Sequence, residues 1–188
     1  MTDHEMRIRK FTLIITAYPA VLIAISLIAN LFIFDIVRPV IALPAQEIVR
    51  AMVIASVLLV INHSWLMTST ELTRLRYRMY ATPEEWADNG RRKDDVAEQG
   101  WTELERHHNA HRNATENTVY FASLAAVLAI VSPPILLAEI WLIGFAIARL
   151  GYTFGALRPM AGIRQLSMSL SLLALYGISS YLALSLLV

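Results

Sequence analysis

Hydrophobic positions along this chain fall in blocks rather than in alternation. Five apolar runs stand out. The first covers residues 11–34, "FTLIITAYPAVLIAISLIANLFIF". The second covers residues 44–73, the fourth 135–155 and the fifth 163–188. The third begins inside a polar stretch and ends at "VSPP". Each run supplies the roughly 20 helical residues that cross a bilayer. In lipid the backbone finds no water to bond, so the runs must be helices. Pro133-Pro134 and Arg158-Pro159 mark sharp stops between helices, because the residue before a proline is pushed out of the helical region. The predicted class is an all-α integral membrane protein.

One run breaks the pattern. Residues 105–117, "ERHHNAHRNATEN", hold two carboxylates, two arginines, three histidines and three asparagines, then pass without a turn residue into "TVYFASLAAVLAIV". At about 100° per residue, Glu105, Asn109, Arg112, Asn113, Glu116 and Tyr120 share one stripe, with His107 and His111 on the opposite side. The polar stretch therefore reads as one end of a membrane helix, not as a loop. Arg112 and Glu116 are spaced to pair, and the asparagine amides can bond backbone-like groups on a ligand.

Composition agrees with the membrane reading: 56% of the 188 residues are hydrophobic and the mean hydropathy is +0.52. A net charge of +1 gives no reason to expect a nucleic-acid partner. There is no cysteine, which removes disulfides, a cysteine nucleophile and thiolate metal ligands. Any thiol chemistry must use a thiol brought by a substrate.

Charge sidedness predicts orientation. Arg7, Arg9 and Lys10, the arginines from Arg74 to Arg112, and Arg158 and Arg164 fall on one side; only Arg38 and Arg50 fall on the other. The N-terminus is expected in the cytoplasm and the C-terminus away from it, with residues 80–101 as a cytoplasmic loop. The first run is longer than a signal-peptide core and lacks a clear cleavage site, so it reads as a membrane helix. A bacterial plasma membrane is the expected location.

Ionisable groups on other runs fall at the same depth as the polar stripe: Arg74 and Arg76 at the end of the second, Arg149 within the fourth, and Arg164 at the start of the fifth. An arginine inside an apolar helix faces a bundle interior or a cavity. The pattern predicts a cationic, water-reachable pocket for a small anion.

Three motifs resemble those of the membrane-associated proteins in eicosanoid and glutathione metabolism, the MAPEG family. "ERHHNAHRNATEN" resembles the family signature on its second helix. "RLRYRMYATPEEWADNG" looks like the end of the first helix and its following loop, especially in prostaglandin E synthase-like members. "ARLGYTFGALRPMAGIR" is similar to the third helix, tight turn and start of the fourth. The resemblance covers about residues 45–188.

The resemblance implies a four-helix bundle over residues 44–188, assembled as a homotrimer, with residues 1–43 adding an extra N-terminal transmembrane helix and a connecting loop. It implies glutathione at the cytoplasmic end, contacted by Arg74, Asn109, Arg112, Asn113, Glu116 and Arg164. It also implies Arg149 and Tyr152 as the residues closest to the chemistry. By position, Arg149 matches the arginine that stabilises the glutathione thiolate in leukotriene-C synthase-like members. The implied activity is glutathione-dependent transfer to a lipophilic electrophile, with peroxidase activity alongside. The sequence departs from the family pattern at Asn109, Tyr152, Ala156, Gln165 and Met168. With the extra helix, these departures support a second reading: a non-catalytic lipid-binding scaffold or an accessory subunit of a larger membrane complex.

Other features read more plainly. No metal site is expected from the H-x-x-x-H spacing of His107 and His111. Gly151 and Gly155 form a close-packing pair. His63 and Glu71, costly in lipid, are expected to point inward. Trp65, Trp101 and Trp141 read as packing or interface aromatics.

Overall fold

The computed structural model describes residues 3–188 and is all-helical over them. The order is α1 (Asp3–Phe32), α2 (Gln46–Tyr77), a short α3 (Pro83–Asp88), α4 (Glu98–Ile130), α5 (Ile135–Leu157) and α6 (Ala161–Ser185). A single 3-10 turn, Lys93–Asp95, lies between α3 and α4.

Four helices are long and apolar enough to span a membrane: α1, α2, α5 and α6. The fifth long helix, α4, has 33 residues. The polar stretch and the greasy run form one unbroken helix, as the stripe predicts. Its polar first half is what keeps it from reading as a span by composition.

Helix ends follow local chemistry. Pro134 stands immediately before α5, and α5 ends at Leu157, just before Arg158-Pro159. α2 stops at Arg78, which adopts a left-handed conformation (φ 52°) and returns its backbone N–H to the carbonyls of Arg74 and Leu75. The loop expected over residues 80–101 is more ordered than its composition suggests. Thr82 accepts from the Glu85 backbone N–H, and the Glu85 carboxylate accepts from the Thr82 N–H. Pro83 occupies the first helical position, where its missing N–H is harmless.

The interhelical contacts fix directions. Arg50 pairs with Glu139 at one end of the bundle, and Arg76 meets Glu103 at the other. α2 therefore runs parallel to α5 and antiparallel to α4. Phe121 stacks on Phe145 with centroids 4.2 Å apart, joining α4 to α5. α5 and α6 cross closely at glycines. A Cβ on Gly151 would sit 2.5 Å from Ser167 Oγ, and one on Gly155 would sit 2.6 Å from the Arg164 backbone nitrogen. The Gly-x-x-x-Gly pair is thus a crossing point, as its spacing predicts.

α1 packs on α6 and runs parallel to it. Ser26 Oγ donates to the Leu173 carbonyl at 3.1 Å. Asn30, wholly buried, donates to the Gly177 carbonyl (2.8 Å) and to Ser180 Oγ (2.9 Å), and accepts from Trp141 Nε1 (3.2 Å). Every hydrogen-bonding atom of that amide is therefore used. Gly177 leaves the room that Trp141 fills, since a Cβ there would meet the indole at 2.5 Å. One end of the bundle consequently gathers the starts of α1, α4 and α6 and the finishes of α2 and α5. The basic residues singled out by charge sidedness lie on these segments.

Candidate functional site

The site is built at that polar end, where α4, α5 and α6 meet. Arg149 lies on α5 and is fully buried, with 0% exposure. A guanidinium in such a place needs hydrogen-bond partners and a counter-charge. The hydrogen bond is present: Arg149 Nη2 donates to Asn113 Oδ1 at 2.8 Å. Nη1 points at Met168 Sδ, 3.8 Å away. The guanidinium also lies over the Tyr152 ring, 4.5 Å from its centroid, where the π face attracts a cation. Its Nε finds no partner, and no carboxylate pairs with it among the described residues.

In front of Arg149 is a cleft of about 580 Å³, within the ~300–1,000 Å³ usual for small-molecule sites. Asn113, Tyr152, Arg164 and Met168 line it, with Ile14 and Tyr18 of α1 on the facing wall. Arg149 itself sits one layer back, behind Asn113, Tyr152 and Met168. Gln165 and Ser169 complete the α6 side. Tyr18 OH and Ser169 Oγ are 2.7 Å apart, tying α1 to α6 at the cleft.

The candidate residues therefore divide into two sets. Asn113, Arg149, Tyr152 and Arg164 converge within the chain. Asn109, Arg112 and Glu116 do not join them. All three are exposed on the outer face of α4, where Arg112 Nη2 donates to Asn109 Oδ1 and Glu116 has no ion-pair partner among the described residues. Arg74 is on another side again. It pairs with Glu71 at 2.6 Å and lies 3.5 Å from His108 Nε2.

Two inward-pointing expectations are corrected. Glu71 is exposed and bonded to its own helix neighbour, because Arg74 one turn later satisfies it locally. His63 is also exposed, edge-on to His111 with centroids 5.3 Å apart. Among the described histidines, His107 is the buried one. Trp65, Trp101 and Trp141 pack as expected, against Phe154, Trp86 and Phe34 respectively.

Sequence reasoning missed the α1 wall. Ile14 and Tyr18 sit in a run with no polar periodicity, and nothing local reveals that α1 returns to the cleft. The one available hint is Tyr18 itself, a hydroxyl inside an apolar helix that needs a partner.

The MAPEG family model matches residues 52–184. The chain belongs to the MAPEG family. The match spans α2 through α6 and leaves α1 outside it. MAPEG membership and the four apolar helices together make this a membrane protein. No curated protein matches the chain.

Proposed function

We propose that this MAPEG protein is a glutathione-dependent transferase acting on a lipophilic electrophile. The observation that carries this reading is Arg149: a buried cation, bonded to an amide oxygen and lacking a carboxylate. Such a group is left short of negative charge, and an anion in front of it relieves the deficit. A glutathione thiolate in the cleft is an anion of the right kind.

The chemistry follows from charge. A nearby guanidinium favours the ionised thiol and lowers its pKa. The thiol proton leaves to water. The sulfur lone pair then forms a carbon–sulfur bond with the electrophilic carbon, and the displaced electron pair departs on the leaving group or on the opened-ring oxygen. Arg149 stabilises the sulfur's charge from one layer behind the wall, with Tyr152 under its guanidinium. Asn113 fixes the guanidinium's orientation. Arg164, exposed on the cleft rim without a carboxylate partner, suits a glutathione carboxylate. Proximity of the two reactants supplies much of the rate.

The outward stripe supports assembly. Arg112 and Glu116 lie on a bare helix face bordering the apolar half of α4, where lipid-facing charge is expensive. In a homotrimer a neighbouring copy covers that face, and Arg74, Asn109, Arg112 and Glu116 contribute to a shared glutathione site. In this arrangement the polar end faces the cytoplasm and the electrophile enters from the bilayer, in a bacterial plasma membrane.

Titrating purified protein with glutathione, by calorimetry and by thiolate absorbance, tests the proposal. Binding accompanied by thiolate absorbance is expected, and both are expected to fail in Arg112→Ala and Glu116→Ala. Absence of binding at millimolar glutathione sinks the enzyme reading. The screening of Arg149 behind Asn113, Tyr152 and Met168 favours one alternative, a ligand-binding scaffold or accessory subunit. Binding without thiolate absorbance is its signature.

A further inference from the structure

A second cleft, of about 470 Å³, opens at the same end of the bundle but on the other side of α4. It lies between the finish of α2, the α3 segment and the start of α4. Its walls include Arg74, Arg91, Arg92 and Lys93 together with Trp86 and Trp101, and no carboxylate lines it. It shares no lining residue with the Arg149 cleft.

The aromatic floor is rigid. Trp86 and Trp101 stack with centroids 6.3 Å apart and planes 22° off parallel, and Tyr80 meets Trp86 edge-on at 5.1 Å. Trp86 is buried, and its Nε1 donates to the Tyr80 carbonyl at 3.0 Å. The cations above this floor are held near one another by backbone. Arg91 donates to the Arg78 carbonyl at 3.3 Å and to the Asp95 carbonyl at 3.2 Å, both neutral acceptors that leave its charge uncompensated. The Asp95 carboxylate is turned into its own chain, accepting the Arg92 backbone N–H at 2.7 Å. Arg92 and Lys93 form no ion pair and no side-chain hydrogen bond among the described residues. Only Arg74 has a carboxylate, Glu71.

Three uncompensated cations on one concave surface ask for a multiply charged anion. Guanidinium and ammonium donors match phosphate oxygens in geometry and charge. Position selects the source. The cleft begins at the last turns of a membrane-spanning helix, and tryptophans at that depth sit among lipid headgroups. Clustered basic residues beside a membrane helix attract anionic lipid.

We propose that this cleft binds the phosphomonoester headgroup of an anionic phospholipid in the leaflet at this end of the bundle. The phosphate lies among Arg91, Arg92 and Lys93, and the glycerol backbone lies against the Trp86–Trp101 floor. The site touches the glutathione reading only at Arg74; it rests on Arg91, Arg92 and Lys93, which that reading does not use, and stands whether or not that reading holds.

The full-length protein in detergent is titrated with phosphatidic acid, with phosphatidylcholine of the same chain length and with glycerol 3-phosphate. Retained lipid is read by native mass spectrometry, and the unfolding midpoint is followed in parallel. Phosphatidic acid is expected to bind about tenfold or more tightly than phosphatidylcholine, with the preference shrinking at high salt. The triple variant Arg91→Gln, Arg92→Gln, Lys93→Gln loses the preference. The double variant Arg92→Gln, Lys93→Gln breaks no bond within the fold, so it weakens the preference at an unchanged lipid-free midpoint. Equal retention of the two lipids, or an undiminished preference in the double variant, overturns the site. Glycerol 3-phosphate competing as strongly as phosphatidic acid overturns the lipid as its ligand.

Discussion

Arg149 on α5 and Asn113 on α4 are joined by a 2.8 Å hydrogen bond deep in the bundle, cation to neutral amide. An aspartate would satisfy the guanidinium better as structure. The amide orients Arg149 and leaves its charge available. This one choice separates the needs of stability from those of the anion site proposed above.

Asn113→Asp tests that separation. The new carboxylate pairs with Arg149 at nearly the same geometry, so the unfolding midpoint in detergent should hold or rise. Glutathione affinity should fall by about tenfold or more, since the resident anion now competes with the thiolate. Unchanged affinity would show that the Arg149 charge does not serve the ligand.

Arg149→Met should move stability and activity in opposite directions. Replacing a buried charge with an apolar side chain of similar reach is often neutral or stabilising, so the midpoint should not drop. Loss of the electrostatic donor should lower glutathione conjugation on the order of 10²-fold or more. Conjugation of a generic chloronitroarene, followed by absorbance, measures it. Near wild-type turnover would remove Arg149 from the chemistry.

At the α1 wall, Tyr18→Phe deletes one exposed hydroxyl contact with Ser169. The stability loss should be small, about 0.5–1.5 kcal/mol. Tyr18→Ala also opens the apolar side of the cleft. Its effect should appear in KM for the lipophilic substrate, with glutathione affinity retained. Equal loss of both affinities would mean that α1 acts only by holding α6 in place.

Two glycine substitutions read the α5–α6 crossing. Gly155→Ala drives a Cβ to within 2.6 Å of Arg164 backbone, and should cost about 1–3 kcal/mol by overpacking. At Gly144 an added Cβ meets nothing within 4 Å. Gly144→Ala should be neutral or mildly stabilising, because alanine is the better helix former. Thermal unfolding of the two variants side by side checks the contrast; equal midpoints would refute the close crossing.

How legible all this was depended on what each helix faces. Helix extents were readable because prolines stop them: α5 begins after Pro133-Pro134 and ends before Pro159. The polar stripe of α4 was readable because polar and apolar residues differ around its circumference. On α1 and α2 that contrast fails. Lipid-facing and bundle-facing sides are both apolar, so periodicity does not say which side is which. His63 and Glu71 were misplaced for that reason, and Tyr18 was missed. Nor could helical spacing on α4 reveal that Asn113 turns toward Arg149 while Arg112, one residue earlier, turns outward. That division appears only when α5 is set beside α4.

The attachment of α1 is uneven along its length. Toward the far end, four hydrogen bonds reach other helices: one from Ser26 and three at Asn30. Toward the polar end, the one cross-helix tie among the described residues is the bond of Tyr18 to Ser169, which water can reach. A force that spreads the cleft therefore meets a fixed pivot at Asn30 and a weak latch at Tyr18. Swinging the near half of α1 outward costs about 1 kcal/mol in hydrogen bonding, whereas shifting its far half breaks several buried bonds at once. The helix outside the family match is thus anchored at the end away from the cleft and lightly held beside it.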